Sequence, residues 1–380
     1  MTDNSRNRVH ILLVSDQAAA NLLPALDPEL KPAEALLLVS GKMRPRAEAL
    51  ETVLREAGVK PTQVALENEH DYGSLENTLL EIAAAREGQE LILNLTGGTK
   101  LMALAAQSVA LAYGWPQFYV DVDTDEVIWL GKDHRRQRLN QQLRLPHYLQ
   151  GYGFRLEQEV AHPPFSPRHQ DLLRTLITQI GSLEKPLAEL NWLAQGAEDR
   201  KHLETTLSPQ QQNRHALEAL LRDFAEAGVL SVLGNKLKFA SKEDLGYAKG
   251  GWLEQHVFRT LTTLSEELGL RDKAPNLTVL DREGVKNELD VAFMARNRLF
   301  VIECKTARMD KPEAPKANDT LFKLAEICRR VGGLGTRGML ASYRPLREPE
   351  KRLAGALRIE LVCGAELARL DERIRVWVKR

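Results

Sequence analysis

Four short, unbroken apolar runs mark the first hundred residues: VHILLVS (9–15), ALLLVS (35–40), QVALE (63–67) and LILNLT (91–96). Runs without polar alternation are the pattern of strands buried on both faces. Between them, PRAEALETVLREAG (45–58) and YGSLENTLLEIAAAREG (72–88) carry helical spacing and a closing glycine. Strand alternating with helix predicts a parallel, Rossmann-like sheet. QFYVDVDTDEVIWLG (117–131) predicts a hairpin turning at Asp123–Asp125, added antiparallel at the sheet edge.

From Ser166 to Glu243 the pattern becomes mostly helical. Leu217, Leu220, Leu221 and Phe224 fall at the i, i+3, i+4, i+7 positions of one buried face, Gly228 closes that helix, and VLSVLGNKLKF (229–239) predicts two strands around Gly234–Asn235. Helices followed by a small hairpin outline a winged-helix-like module. A second alternation starts near Gly250. The stretch 251–268 is helical, with Leu253, Val257, Leu261 and Leu264 on one side. Strands follow at 287–295, 298–306, 337–343 and 358–363, with a helix at 318–330. The expected organisation is an N-terminal domain over 1–150, a helical, winged-helix-like linker region over 151–245, and a C-terminal α/β/α domain over 246–380.

Composition adds little beyond class. With 43% hydrophobic and 27% charged residues the chain reads as an ordinary water-soluble protein. It has no apolar run long enough for a membrane span, and MTDNSRNR (1–8) leads straight into a strand rather than a signal sequence. Three cysteines without a CxxC pair fit a reducing cytosol. Net charge is zero, yet residues 246–380 hold 26 Lys and Arg against 19 Asp and Glu, a surplus of 7 that the remainder offsets. A basic C-terminal third is suited to a polyanion.

Two segments carry chemistry. In NLTGGTK (94–100) a buried strand ends in a tight polar turn that opens a helix of small residues. There the free N–H groups at a helix start favour an anionic or polar ligand. Asn94, Thr96, Gly97, Gly98, Thr99 and Lys100 belong to this turn; Ser15 and Gln17, after the first strand, and Ser40 and Lys42, after the second, converge on the same end of the sheet. The turn is neither a GxGxxG fingerprint nor a GxxxxGK[ST] phosphate loop, which disfavours NAD binding and ATP hydrolysis. The other segment is NELDVAFMARNRLFVIECKTAR (287–308). Alternate side chains of a strand share a face, so Glu288 pairs with Asp290 and Glu303 with Lys305. A hairpin through ARNR (295–298) would bring both pairs together near one end. Converging carboxylates suit Mg²⁺ or Mn²⁺, and an adjacent lysine suits phosphodiester hydrolysis. An exposed Glu–Lys pair would contribute only about 0–1 kcal/mol, but LFVIECKT is apolar around its charges, which fits a buried strand. Cys304 should face the other way.

Asp290, then twelve residues, then Glu303-Cys304-Lys305 resembles the PD-(D/E)xK nuclease signature, with Leu289 in place of the proline. Glu254 in GGWLE matches the helical glutamate of many members. SDQAAANLLP (15–24) and NLTGGTK look like the CARF domain, a Rossmann-like sensor. Together they resemble the cyclic-oligoadenylate-activated CARF–nuclease effectors of type III CRISPR immunity. That resemblance implies a homodimer that binds cyclic tetra-adenylate across its two sensors, and a C-terminal domain of restriction-endonuclease-like fold that cleaves single-stranded DNA or RNA with a divalent metal. It implies Asp290, Glu303 and Glu254 as metal ligands, Lys305 as catalytic lysine, and a ligand held by the NLTGGTK turn. A ligand-responsive transcriptional regulator and a ligand-independent repair nuclease are the alternatives; an intact Asp290, Glu303, Lys305 set argues against the first. A ligand-gated switch is expected to keep its sensor and its nuclease site apart.

Overall fold

The computed structural model describes residues 8–157, 167–306 and 316–380. The leading residues 1–7, Ser166 and Ala307–Arg308, all touched by the sequence reading, lie outside the described residues. Continuous apolar runs do form the central strands. β1 (Arg8–Leu13), α1 (Ala19–Leu26), β2 (Glu34–Val39), α2 (Arg44–Glu56), β3 (Lys60–Ala65), α3 (Tyr72–Ala85), β4 (Glu90–Asn94), α4 (Lys100–Ala112), β5 (Gln117–Asp121), β6 (Glu126–Trp129), β7 (Arg136–Arg138) and α5 (Leu145–Gly151) make the N-terminal domain. Its sheet runs β3-β2-β1-β4-β5-β6-β7, parallel from β3 to β5 and antiparallel beyond. The order reverses between β1 and β4, the position where open α/β sheets bind ligands.

The middle region contains β8 (Arg155–Leu156), α6 (Pro167–Thr178), α7 (Glu184–Asp199), β9 (Glu204–Thr206), α8 (Pro209–Gln212), α9 (His215–Glu226), β10 (Leu230–Leu233), β11 (Lys236–Phe239) and α10 (Lys242–Gly246). From α7 to β11 the order of helices and strands, with the antiparallel sheet β10-β11-β9, is that of a winged helix. The predicted face of α9 is buried through Leu217, Leu220, Leu221 and Phe224. Its exposed positions are His215, Ala216, Glu218, Arg222 and Glu226, two carboxylates against one guanidinium, which makes a poor phosphate-binding stripe.

The C-terminal domain comprises α11 (Trp252–Leu264), β12 (Lys273–Leu280), β13 (Lys286–Ala295), β14 (Arg298–Lys305), α12 (Lys316–Gly332), β15 (Arg337–Ser342), α13 (Glu348–Ala356), β16 (Ile359–Cys363) and α14 (Leu370–Lys379). The sheet order is β16-β15-β14-β13-β12-β8, with β14, β15 and β16 parallel and the rest antiparallel. Strand β12 escaped the sequence reading because Pro275 and Asn276 break its apolar pattern.

The two domains are packed through a shared core. One continuous apolar cluster runs from Leu12 and Val39 through Leu145 and Tyr148 to Met294, Leu299 and Leu321. Apolar area buried between two sheets in this way is the dominant cohesive term in folding. Polar contacts reinforce it. Asp123, in the β5–β6 turn, pairs with Arg298 at the start of β14. Asn297, in the β13–β14 turn, accepts from Leu143 N at 2.7 Å and donates to the Gln141 carbonyl at 3.1 Å. Among the described residues no helix is long and apolar enough to cross a membrane.

Candidate active site

The β13–β14 hairpin turns at Arg296–Asn297, both at positive φ, and its register pairs Val291 with Ile302. One step further, Asp290 stands opposite Glu303. The Cys304 N–H donates to Asp290 Oδ2 at 2.7 Å, which fixes that carboxylate across the strand gap. Lys305 Nζ lies 2.5 Å from Glu303 Oε1 and 3.7 Å from Asp290 Oδ2. The ladder between β12 and β13 has no pair between Pro275–Val291 and Leu277–Leu289. Asn276 sits there at φ 48°, and its side chain hydrogen-bonds the Glu254 carboxyl. Glu254, in the first turn of α11, is thereby drawn toward the hairpin. Cys304 faces the opposite core with Ile302, as alternation requires.

Electrostatics bind these groups into one unit. Burial pushes the Glu254 carboxyl up to about 7, and repulsion from Asp290 adds to it. Asp290 and Glu303 are also held above the usual carboxylate range, first by burial. Burial alone would lower Lys305, but the two carboxylates outweigh it and keep the ammonium protonated above its ordinary value. Among the described residues no three His, Cys, Asp or Glu side chains are gathered closely enough to hold a metal ion. The lysine occupies the space between the two carboxylates.

The sensor turn is organised around Asn94, which is wholly buried. Its amide donates to Ala20 O at 3.0 Å and Asn21 Oδ1 at 3.1 Å, and its oxygen accepts from Thr96 N and Oγ1. Through these bonds, all of them inside the protein, Asn94 holds the turn in shape. Thr96 Oγ1 also accepts from Val120 N at 2.7 Å, tying the turn to β5. Thr99 caps α4 by accepting from Met102 N. A side chain on Gly97 would fall on the Leu13 carbonyl oxygen, and Ser15 Oγ lies beside the same spot. Gly98 takes φ 71°, where glycine is the natural residue. Lys100 is exposed at the start of α4. Ser40 is buried, while Lys42 reaches solvent and lies 3.8 Å from Glu69. The Gln17 amide is beside Gly333 of the C-terminal domain, so this loop touches both domains.

Comparison with known proteins settles the family. A family model of the Card1 CARF domain matches residues 9–148, and one of the Card1-like endonuclease domain matches residues 241–380. The chain thus carries a Card1-type CARF domain and a Card1-like endonuclease domain. The crystal structure of protein VC1899 from Vibrio cholerae is similar over 98% of both chains, at 27% identity and TM-score 0.88. Can2 from Sulfobacillus thermosulfidooxidans, solved in complex with cyclic tetra-adenylate, aligns over 98% of this chain and 100% of its own, at 25% identity and TM-score 0.84. A type III CRISPR defence DNA nuclease activated by cyclic oligoadenylate shares the fold over 90% of this chain and 47% of its own, at 21% identity and TM-score 0.55. No curated protein sequence matches.

In this Card1-like endonuclease domain the raised Glu254 pKa has a thermodynamic consequence. The folded protein retains a proton there that the unfolded chain releases near 4.5. Stability from this group is present below that value and is lost as pH rises to about 7. His10, buried without hydrogen-bond partners and depressed to about 3, acts in the opposite direction between about 3 and 6.5. The informative quantity is therefore a difference. Relative to wild type without metal, Glu254→Gln should gain on the order of 3 kcal/mol between pH 4.5 and 7, read by denaturant melts. A pH-independent difference would contradict the burial of this carboxyl.

Proposed function

We propose that the chain is a nuclease that cleaves single-stranded DNA or RNA when cyclic tetra-adenylate binds its CARF domain. The observation that carries this reading is one carboxylate–lysine unit, Asp290, Glu303 and Lys305, buried in the endonuclease domain of a chain whose sensor domain shares its core. Oxygen donors with raised pKa values and mutual repulsion suit a hard divalent cation, Mg²⁺ or Mn²⁺. Asp290 and Glu303 would hold it, with Glu254 as an auxiliary ligand. When bound, such an ion supplies Lewis-acid polarisation of the phosphodiester. Lys305, kept protonated, serves as a fixed positive charge that holds a phosphate oxygen or the attacking water and answers charge developing in the transition state. Its protonation makes it a poor general base.

For the sensor, Gly97, Gly98, Thr99 and Lys100 would line the ligand site together with Ser15, Gln17, Ser40 and Lys42, while Asn94 and Thr96 hold the turn in shape. We place the dimer contact on α4. Leu104 and Leu111, seven residues apart on one face, are 57% and 66% exposed. Such a stripe is uncommon on a monomer, and a second copy there would bring two NLTGGTK turns together around a symmetric ring. The route to the blade is short. The turn grips β5 through Thr96 and Val120, and β5 leads to Asp123 against Arg298 at the base of the catalytic hairpin.

Lys100→Ala tests the sensor assignment. It should weaken cyclic tetra-adenylate binding by about 10-fold, the effect of losing roughly 1.4 kcal/mol of charge-assisted contact, measured by calorimetry. Unchanged affinity would remove Lys100 from the site.

A further inference from the structure

A polar link between the middle region and the end of β14 passes through Thr306. Thr306 directly follows Lys305. Asn191 Nδ2, on α7, donates to the Thr306 carbonyl at 3.1 Å and to its hydroxyl oxygen at 2.9 Å. The Thr306 hydroxyl in turn donates to the Lys249 carbonyl at 3.1 Å. Lys249 belongs to a kinked segment, Tyr247–Gly251, that leads into α11 and Glu254. Gly250 adopts φ 155° within it, and a Cβ there would collide with the Thr306 hydroxyl. The glycine permits the close approach. Seven residues beyond Asn191, on the same stripe of α7, Glu198 pairs with the Lys249 ammonium at 2.7 Å. The same helix is anchored by Leu187, Leu190, Leu193 and Ala194 in the core.

We propose that Asn191 is a positioning residue for the reaction, and that the winged-helix-like region is a brace for the active site rather than a reader of DNA. The role rests on the nuclease reading above. Through Thr306, Asn191 fixes the end of β14, which carries Glu303 and Lys305. Through the Lys249 carbonyl the same threonine fixes the turn that aims Glu254. Catalytic groups must be held to about half an ångström, and an error of about 1 Å costs on the order of 100-fold in rate. A helix built into the core supplies that rigidity where a free strand end would not.

The test uses the full-length protein with cyclic tetra-adenylate, metal and a single-stranded substrate, alongside wild type and Lys305→Ala. Asn191→Leu, close in volume but without the amide, should lower kcat about 10- to 100-fold while KM and ligand affinity stay within about 2-fold. Thr306→Val should give the same loss, and Thr306→Ser, which keeps the hydroxyl, should retain most activity. The double variant Asn191→Leu/Thr306→Val should be no worse than either single one, since both break one linkage. Full kcat in Asn191→Leu, or equal losses in the serine and valine variants, would overturn the role while leaving the nuclease reading intact. A rise in KM at unchanged kcat would also overturn it, marking Asn191 as a substrate contact. A wild-type protein that cuts nothing would overturn the nuclease reading first and this role with it.

Discussion

Lys305→Ala is expected to abolish cleavage while leaving cyclic tetra-adenylate binding unchanged. The ammonium sits 2.5 Å from Glu303 and 3.7 Å from Asp290, so no other cation among the described contacts of these carboxylates serves both. Removing a fixed charge aimed at the reacting phosphate typically costs about 100- to 1,000-fold, which takes a modest nuclease below detection. The truncation also strips two buried carboxylates of their counter-charge. They respond by holding protons more tightly, which spares the fold a full uncompensated charge. The variant should therefore remain folded, checked by circular dichroism, and should bind ligand like wild type in calorimetry. Normal cutting by this variant would remove Lys305 from the catalytic machinery.

Gly97→Ala should have the second largest effect, this time on the sensor. A Cβ at that position coincides with the Leu13 carbonyl oxygen, so the turn has to move away from β1. The move strains the Asn94–Thr96 bonds and the Thr96–Val120 link. A backbone clash of this kind costs on the order of 2–4 kcal/mol. If binding requires the native turn, affinity for cyclic tetra-adenylate falls at least about 30-fold, and ligand-stimulated cleavage falls with it. Titration calorimetry decides the point, since wild-type affinity would show that the ligand does not depend on this turn.

The cluster of Asp290, Glu303 and Lys305 was legible because its signal is local. Charges inside LFVIECKT contradict the burial of that strand unless they meet one another, and period-two alternation already assigns Glu303 and Lys305 to one face and Cys304 to the other. The N-terminal sheet was legible for a similar reason, since doubly buried strands leave unbroken apolar runs. Asn276, Asn191 and Thr306 gave no such signal. Each is a common polar residue whose importance comes from what the fold places beside it. Strand β12 hid behind Pro275 and Asn276, and that same irregularity puts Asn276 against Glu254. Helix α14 is a different case. Leu370, Ile374, Trp377 and Val378 form a regular buried stripe, and the helical period was present in the sequence to be read. Asn94 hid its internal bonds in the same way as Asn276, Asn191 and Thr306. A polar residue at the head of a ligand-like turn invites assignment to the ligand, yet only the tertiary structure shows its amide fully engaged. Most consequential is the distance between NLTGGTK and the catalytic hairpin. Separation along the chain says nothing about separation in space once a single apolar cluster runs through both domains, and the β5–β6 turn rests on the hairpin itself.

The central claim, a metal-dependent blade governed by the sensor, is tested by one cleavage assay. Single-stranded DNA, single-stranded RNA and supercoiled plasmid are incubated with the protein, with and without cyclic tetra-adenylate, in Mg²⁺, Mn²⁺ or chelator. The account predicts cutting of single-stranded substrate only when ligand and metal are both present. Equal cutting without the ligand, or undiminished cutting in chelator, would contradict it.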